Sequence, residues 1–353
     1  MVEPPDPLER CHLHLFESTQ QSFRANNFCL VKTNDRFGEA HFAFADTSLS
    51  DGSILAPFSI AGFGNDVWVL DQSAKKLTRY DRELRPVFIV GREGQGPGEF
   101  VDPWSVDVTA AGEALVVDPP NRRASIFDSS GRFVVGIQLQ VIPPNRSAFA
   151  ASNGSIMVAA AKLDGPLVEV RDRSGTVIDT FGTATPFENP PFNGPSQAAT
   201  SILNPVVVRE DESGRRHVIY SNQPRYARYT ADDLLEADVE LNSPMIDTVR
   251  VRGRSSVDAF QKTNKNPMSV SYTSYFSDFA LLPDGRLLIV VDRKPCLILF
   301  DPKSGSLTEL RENAPADPPL YTTTIAVVGP HRAIGVNRYR GEVLEISFPE
   351  ALW

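Results

Sequence analysis

Short apolar runs recur along the chain, separated by Gly, Pro, Asp and Asn, and amphipathic helical patterns are nearly absent. Two stretches carry the pattern best. In the first, Gly64-Asn-Asp-Val-Trp-Val-Leu-Asp71 is followed by Lys75-Lys-Leu-Thr-Arg-Tyr-Asp81. In the second, Gly112-Glu-Ala-Leu-Val-Val-Asp118 is followed by Asn121-Arg-Arg-Ala-Ser-Ile-Phe-Asp128. Asp71 and Asp118 stand 47 positions apart (118 − 71), and an aromatic residue before Asp follows each at the same interval, at Tyr80 and Phe127. Runs of this length and composition, closed by Asp-Gly or Asn-Gly type turns, predict strands joined in hairpins. Trp68–Leu70 and Leu115–Val117 are unbroken apolar triplets, which suits strands covered on both faces.

Fainter copies run over Asn153–Asp172, Gly214–Tyr229, Pro283–Asp301 and Gly329–Ile346. Anchored on positions 71, 118, 161, 221, 292 and 337, the chain holds six units. A repeat in the forties with about four short strands per unit is the signature of a β-propeller blade. One sheet cannot bury both its faces alone; radial stacking covers them, and closing the ring removes the open ends. The expectation is a single all-β domain over 1–353, a six-bladed propeller of four-stranded antiparallel blades at about 41–90, 101–140, 146–182, 201–253, 272–311 and 321–349. Residues 1–27 form an N-terminal extension, and the strand over 28–33 completes blade 6 and locks the ring. Apolar alternation at His12–Phe16 and His41–Phe44 leaves seven blades as the alternative. Two stretches break the period. Residues 183–200 read as a long loop, and 242–268 as a loop or short helix in which Thr248–Val251 supplies the outer strand of blade 4.

Between the two clearest repeats lies Gly91-Arg-Glu-Gly-Gln-Gly-Pro-Gly-Glu-Phe100. With Gly96-Pro-Gly-Glu-Phe100, Pro103, Val117-Asp118 and Asn121-Arg122, the chain resembles the six-bladed, NHL-repeat-like propellers of bacteria. The resemblance is specific over about 64–136, moderate over 278–305 and elsewhere only periodic. It implies the fold and little about activity, because such propellers include lyases, lactonase-like hydrolases and binding proteins. Streptogramin-lyase relatives use a His/Glu/His metal arrangement, for which no matching motif stands in this chain. Lactonase-like relatives hold calcium in the channel through Glu, Asn and Asp; Asn204 and Asp278 have suitable chemistry, but no spacing fixes them as that site.

Charge narrows the partners. With 35 Lys+Arg against 44 Asp+Glu the net charge is −9, so a generic nucleic-acid binder, which needs a basic footprint, is not expected. No apolar run approaches the ~18 residues of a membrane helix, so a transmembrane segment is not expected either. A monomer is expected, extracytoplasmic (periplasmic or secreted) if a signal peptide preceded this sequence and was removed, and otherwise cytoplasmic. Cys11, Cys29 and Cys296 have no metal-type spacing; a Cys11–Cys29 bridge stays open, and Cys29 and Cys296 read as small buried hydrophobes.

In a propeller the inner strands ring an axial channel, and the loops entering them build the usual pocket. Positions fourteen before each anchor, with their neighbours, give a candidate rim for a small ligand or protein partner: Asp102, Trp104, Arg146, Asn204, Tyr275, Asp278 and Tyr321. Arg92 is a candidate anion anchor oriented by Glu99, although the glycine loop between them reads first as a close-packed connection. Arg250, Arg252 and Arg254 make the 242–268 insertion a candidate binding element. The leading expectation is therefore a non-catalytic binding propeller. The alternative is a hydrolase or lyase holding Ca²⁺ or Mg²⁺ through Asn204, Asp278 and Asp102. Asp71, Asp118 and Asp292 recur at one place in separate blades and read as turn caps. His12 and His14 share a strand face but have no evident third metal ligand.

Overall fold

The computed structural model describes residues 40–41, 43–46, 56–109, 111–139, 148–151, 153–160, 165–184, 204–263, 272–294, 296–311, 322–329 and 331–348. In it the apolar triplets are buried on both faces: Trp68 and Leu70, like Leu115 and Val116, are at most 1% exposed. The carboxylates that end those strands tie loops together. Asp71 accepts the backbone N–H groups of Ala74 in the following turn (2.8 Å) and of Ala56 at the start of the same blade (3.1 Å). Asp118 likewise accepts from the N–H groups of Val101 (2.7 Å) and Asp102 (3.1 Å) and from the Asn121 amide (2.8 Å). One short acidic side chain thus closes a turn and fixes where the chain enters the blade, which is why the residue repeats with the blades.

The strands form six four-stranded antiparallel sheets arranged as a six-bladed propeller. Blade 1 comprises Pro57–Phe63, Asp66–Asp71, Lys76–Tyr80 and Pro86–Val90. Blade 2 comprises Ser105–Val108, Ala114–Asp118, Arg123–Phe127 and Phe133–Gln138. Ala148–Ala150, Ile156–Ala159, Pro166–Arg171 and Val177–Thr183 form blade 3. Val206–Glu210, Arg216–Tyr220, Arg225–Tyr229 and Leu235–Glu240 form blade 4. Phe276–Leu281, Leu287–Val291, Cys296–Phe300 and Leu307–Arg311 form blade 5. Blade 6 contributes Thr324–Gly329, Arg332–Asn337 and Glu342–Ser347 from the C-terminal side.

The fourth strand of blade 6 is Ala43–Asp46, paired antiparallel with Glu342–Ser347. Just before it, Ala40–His41 pairs in parallel with the outer strand of blade 5. His41 and Ala43–Asp46, expected to open blade 1, therefore extend blade 5 and complete blade 6, respectively. The segment 28–33, expected in that place, lies outside the described residues, as do Cys11, Cys29, His12 and His14. The apolar faces meet between blades. Trp68 and Leu70 of blade 1 pack with Val106 and Val116 of blade 2, while Ile60 and Val69 pack with Ile334 and Val336 of blade 6.

Residues Thr248–Val251 are not a strand. Leu235–Glu240 takes the outer place in blade 4, and Thr248–Val251 falls within a 20-residue helix, α1, Pro244–Thr263. The local sequence explains the start: Ser243 caps it, its hydroxyl accepting the Ile246 N–H (3.2 Å), and Pro244 opens the first turn. Glu309 of blade 5 accepts the Met245 N–H (2.6 Å), adding a negative charge where the helix dipole favours one. Ile246 and Val249 bury themselves in the core shared by blades 3–5, so the first half of α1 is anchored and the second half overhangs the ring. Among the described residues no helix is long and apolar enough to cross a membrane.

Candidate ligand site

Strands within each blade alternate direction. The turns between second and third strands therefore lie at the same end of the ring as the segments between blades. This end, here the upper face, carries α1 and, among the described residues expected at the rim, Asp102, Trp104, Asn204 and Tyr275.

The axis itself is closed. Arg209 of blade 4 reaches across it and donates to Asp278 of blade 5 (3.1 Å), with Asp107 of blade 2 at 3.9 Å. Its guanidinium lies over the rings of Phe149 (5.4 Å) and Phe279 (5.8 Å). The carboxylates are held from behind: Asp278 accepts the Ile325 N–H of blade 6 (3.1 Å), and Asp107 the Ala150 N–H of blade 3 (2.9 Å). Burial works against the guanidinium charge, but Asp107 and Asp278 outweigh it, and the Arg209 pKa is raised. Arg209 and its two carboxylates thus stitch together inner strands from five blades, leaving an axial cavity of about 20 Å³.

The described rim residues each have partners within the protein. Asp278 is 3% exposed and engaged with Arg209. Asn204 is fully buried and accepts from the Gln223 amide (3.2 Å). Asp102 accepts from the Trp104 indole N–H (3.0 Å) and from Lys75 (3.4 Å). All three side chains already have protein partners, which a Ca²⁺ or Mg²⁺ site built from them would have to displace. Among the described residues no three His, Cys, Asp or Glu side chains gather as a metal cluster. Tyr275 is 8% exposed, with burial pushing its phenol up. Arg146 and Tyr321 lie outside the described residues.

Arg92 pairs with Glu99 (2.6 Å), its own side chain 80% exposed. Glu99 also accepts the Gly96 N–H (2.8 Å), and Arg123 donates to the carbonyls of Gln95 (2.8 Å), Gly96 (3.0 Å) and Glu99 (2.7 Å). The glycine loop is therefore a clamped connection. Arg123, next to Arg122 of the sequence motif, grips it.

Off the axis, over blades 4, 5 and 6 and beneath α1, lies a cavity of about 570 Å³. Its charged lining is Arg252 from α1, Arg293, Lys294 and Asp292 from the turn of blade 5, and Arg338 from the turn of blade 6. Tyr339 sits between two of these cations. Its ring centroid is 4.9 Å from the Arg293 guanidinium and 4.8 Å from that of Arg338, and its oxygen accepts from both, at 3.1 and 2.8 Å. Burial pushes this phenol up, but the Arg338 and Arg293 contacts outweigh it and lower its pKa. Arg252, Lys294 and Arg338 form no ion pair among the described residues. Arg250, two positions from Arg252, is bound to Asp247 (2.7 Å) and Glu240 (2.9 Å) and does not line the cavity.

Gly253 sets the height of this roof. A Cβ there would overlap the Thr273 side chain, so glycine allows α1 to approach the Tyr272–Ser274 segment of the cavity wall. The candidate residues missed from sequence had a signal. Arg293-Lys294 and Arg338-Tyr339 follow Asp292 and Asn337 at equivalent blade positions, where blades 1 and 2 carry the uncharged Gln72-Ser73 and Pro119-Pro120.

No model of a known protein family matches the chain. Two curated relatives are distant NHL-containing homologues. Protein lin-41 of Caenorhabditis elegans is 41% identical over 49 residues, which is 14% of this chain and 4% of that protein. Protein brain tumor of Drosophila melanogaster is 25% identical over 151 residues, 42% of this chain and 14% of that protein. The chain thus spans only a small part of either relative. Among solved structures it is similar to a streptogramin B lyase (TM-score 0.53, 12% identity, 87% of this chain and 98% of that one). It is also similar to a gluconolactonase from Xanthomonas campestris (TM-score 0.52, 12% identity, 94% and 99%). A putative exported protein from Bacteroides fragilis is another such neighbour (TM-score 0.53, 12% identity, 88% and 95%). At these identities the likeness is one of fold.

Proposed function

We propose that this NHL-like propeller binds a small anionic ligand in the upper-face cavity roofed by α1. The observation that carries the reading is the set of cations there: four line one cavity against a single carboxylate, and three of them form no ion pair among the described residues. Gathering like charges is unfavourable unless an opposite charge joins them. In a chain of net charge −9 the gathering is not a by-product of general basicity. Guanidinium groups suit the oxygens of phosphates and carboxylates, and the cavity volume falls within the usual range for small-molecule sites.

Titration calorimetry with inorganic pyrophosphate tests this reading. Binding is expected to weaken about tenfold in Arg252→Ala and in Arg338→Ala, the loss of one charge-assisted contact. Arg250→Ala is expected to bind as the parent does, because its guanidinium is spent on Glu240 and Asp247. Failure of pyrophosphate to bind, or equal losses in all three variants, would overturn it.

A further inference from the structure

Arg252, Arg293 and Arg338 remain charged at any ordinary pH, whereas Lys294 carries an amine that can lose its proton and act as a nucleophile. Lys294 stands in the turn after the second strand of blade 5, half-buried in the cavity wall. The other charged and titratable groups lining this cavity are Arg252 from α1, Tyr272 from the segment before blade 5, Asp292 and Arg293 from its own turn, and Arg338 and Tyr339 from blade 6. Lys262 and Lys303, by contrast, are exposed. An ammonium partly stripped of water and crowded by cations gives up its proton more easily. Burial, and then the charge of Arg252, push Lys294 below the ordinary lysine range, with Asp292 opposing them.

We propose that Lys294 is a reactive amine that captures the carbonyl carbon of an anionic aldehyde or oxo acid held by the surrounding guanidinium groups. This rests on the anion-binding reading above and gives it a ligand class. The neutral Nζ attacks the carbonyl carbon; a C–N bond forms, the carbonyl π pair moves to oxygen, and that oxygen takes up a proton as nitrogen loses one. The resulting carbinolamine expels the oxygen as water and leaves a C=N bond. Amine plus carbonyl gives imine plus water, with no change of oxidation state.

Pyridoxal 5′-phosphate, which carries both an aldehyde and a phosphate, is the probe, followed by borohydride reduction and peptide mapping. With limiting reagent, Lys294 is expected to be labelled ahead of the more exposed Lys262 and Lys303. The label should be suppressed by excess pyrophosphate, reach half its maximum at a lower pH than that on Lys262, and vanish in Lys294→Arg. Labelling that follows exposure, with Lys262 and Lys303 first, would overturn the proposal. If pyrophosphate binds but Lys294 does not lead, the amine inference alone fails. If pyrophosphate does not bind, the anion-binding reading fails as well.

Discussion

Arginine occurs in two settings within this ring, and the surroundings decide what each one does. At the axis, Arg209 meets two carboxylates that are themselves held by backbone N–H groups of the next blades. Its charge is answered inside the protein, and the result is a seal. Under α1, off the axis, Arg252 and Arg338 line a cavity with no ion pair among the described residues. Arg293 lies 3.9 Å from Asp292 and shares the Tyr339 phenol oxygen with Arg338. The difference is that Arg209 is answered by carboxylates of its own chain, whereas Arg252 and Arg338 face open volume, and the proposed anion site rests on that difference.

The largest effect that could break this contrast lies at the axis. Arg209→Ala leaves the buried Asp278 and the half-buried Asp107 without their cation, and we expect a loss on the order of 3–5 kcal/mol in chemical denaturation. Pyrophosphate binding by the folded fraction should not change. Combining Arg209→Met with Asp107→Asn and Asp278→Asn should recover most of the stability, because no unpaired charge is then left. Parent-like stability in Arg209→Ala would mean that the axial cluster is not a seal.

Next comes the roof. In an exposed helix Gly→Ala usually gains about 1 kcal/mol. Gly253→Ala should show no such gain and should weaken pyrophosphate binding about tenfold, because the new methyl pushes α1 away from Thr273. A second change, Thr273→Gly, should restore affinity. Affinity unchanged in the single variant would separate the helix from the site.

A smaller effect is expected in acid. Hydrogen bonds from Ser130 and the Arg132 backbone hold Asp128 at about 2, below the ordinary carboxylate range. Serine hydroxyls likewise hold down Asp172, through Ser174, and Asp301, through Ser304. Because these carboxylates are more acidic folded than unfolded, their contribution is complete above the unfolded value near 4 and is lost as pH falls toward 2. Melting temperature should therefore fall over that window, and less steeply in Asp128→Asn. The smallest effect belongs to Arg92→Ala, which should leave both melting temperature and pyrophosphate binding unmoved. Glu99 and Arg123 hold the loop without it.

The fold was legible because its physical cause repeats. Each capping Asp follows a doubly buried strand, so Asp71 and Asp118 mark the blades from sequence alone. Closure was less legible: Ala43–Asp46 is a short run whose role depends on meeting Glu342–Ser347 across the whole chain. Helix α1 was hidden by Thr248–Val251, which reads as β-rich although Ser243-Pro244 carries a helix-start signal. The site was legible only in part. Arg252 stood out within the insertion, but Arg293, Lys294 and Arg338, in turns after the blade anchors, drew no notice. Asp278 looked available until Arg209, 69 positions away, was seen to occupy it.

The most direct test is diffraction from crystals soaked in tungstate, a phosphate-shaped anion with strong anomalous scattering. The account predicts one dominant peak beneath α1, among Arg252, Lys294, Arg293 and Arg338, which disappears in Arg252→Ala combined with Arg338→Ala. A dominant peak elsewhere on the ring, or none in this cavity at a concentration that labels other surface arginines, would contradict it.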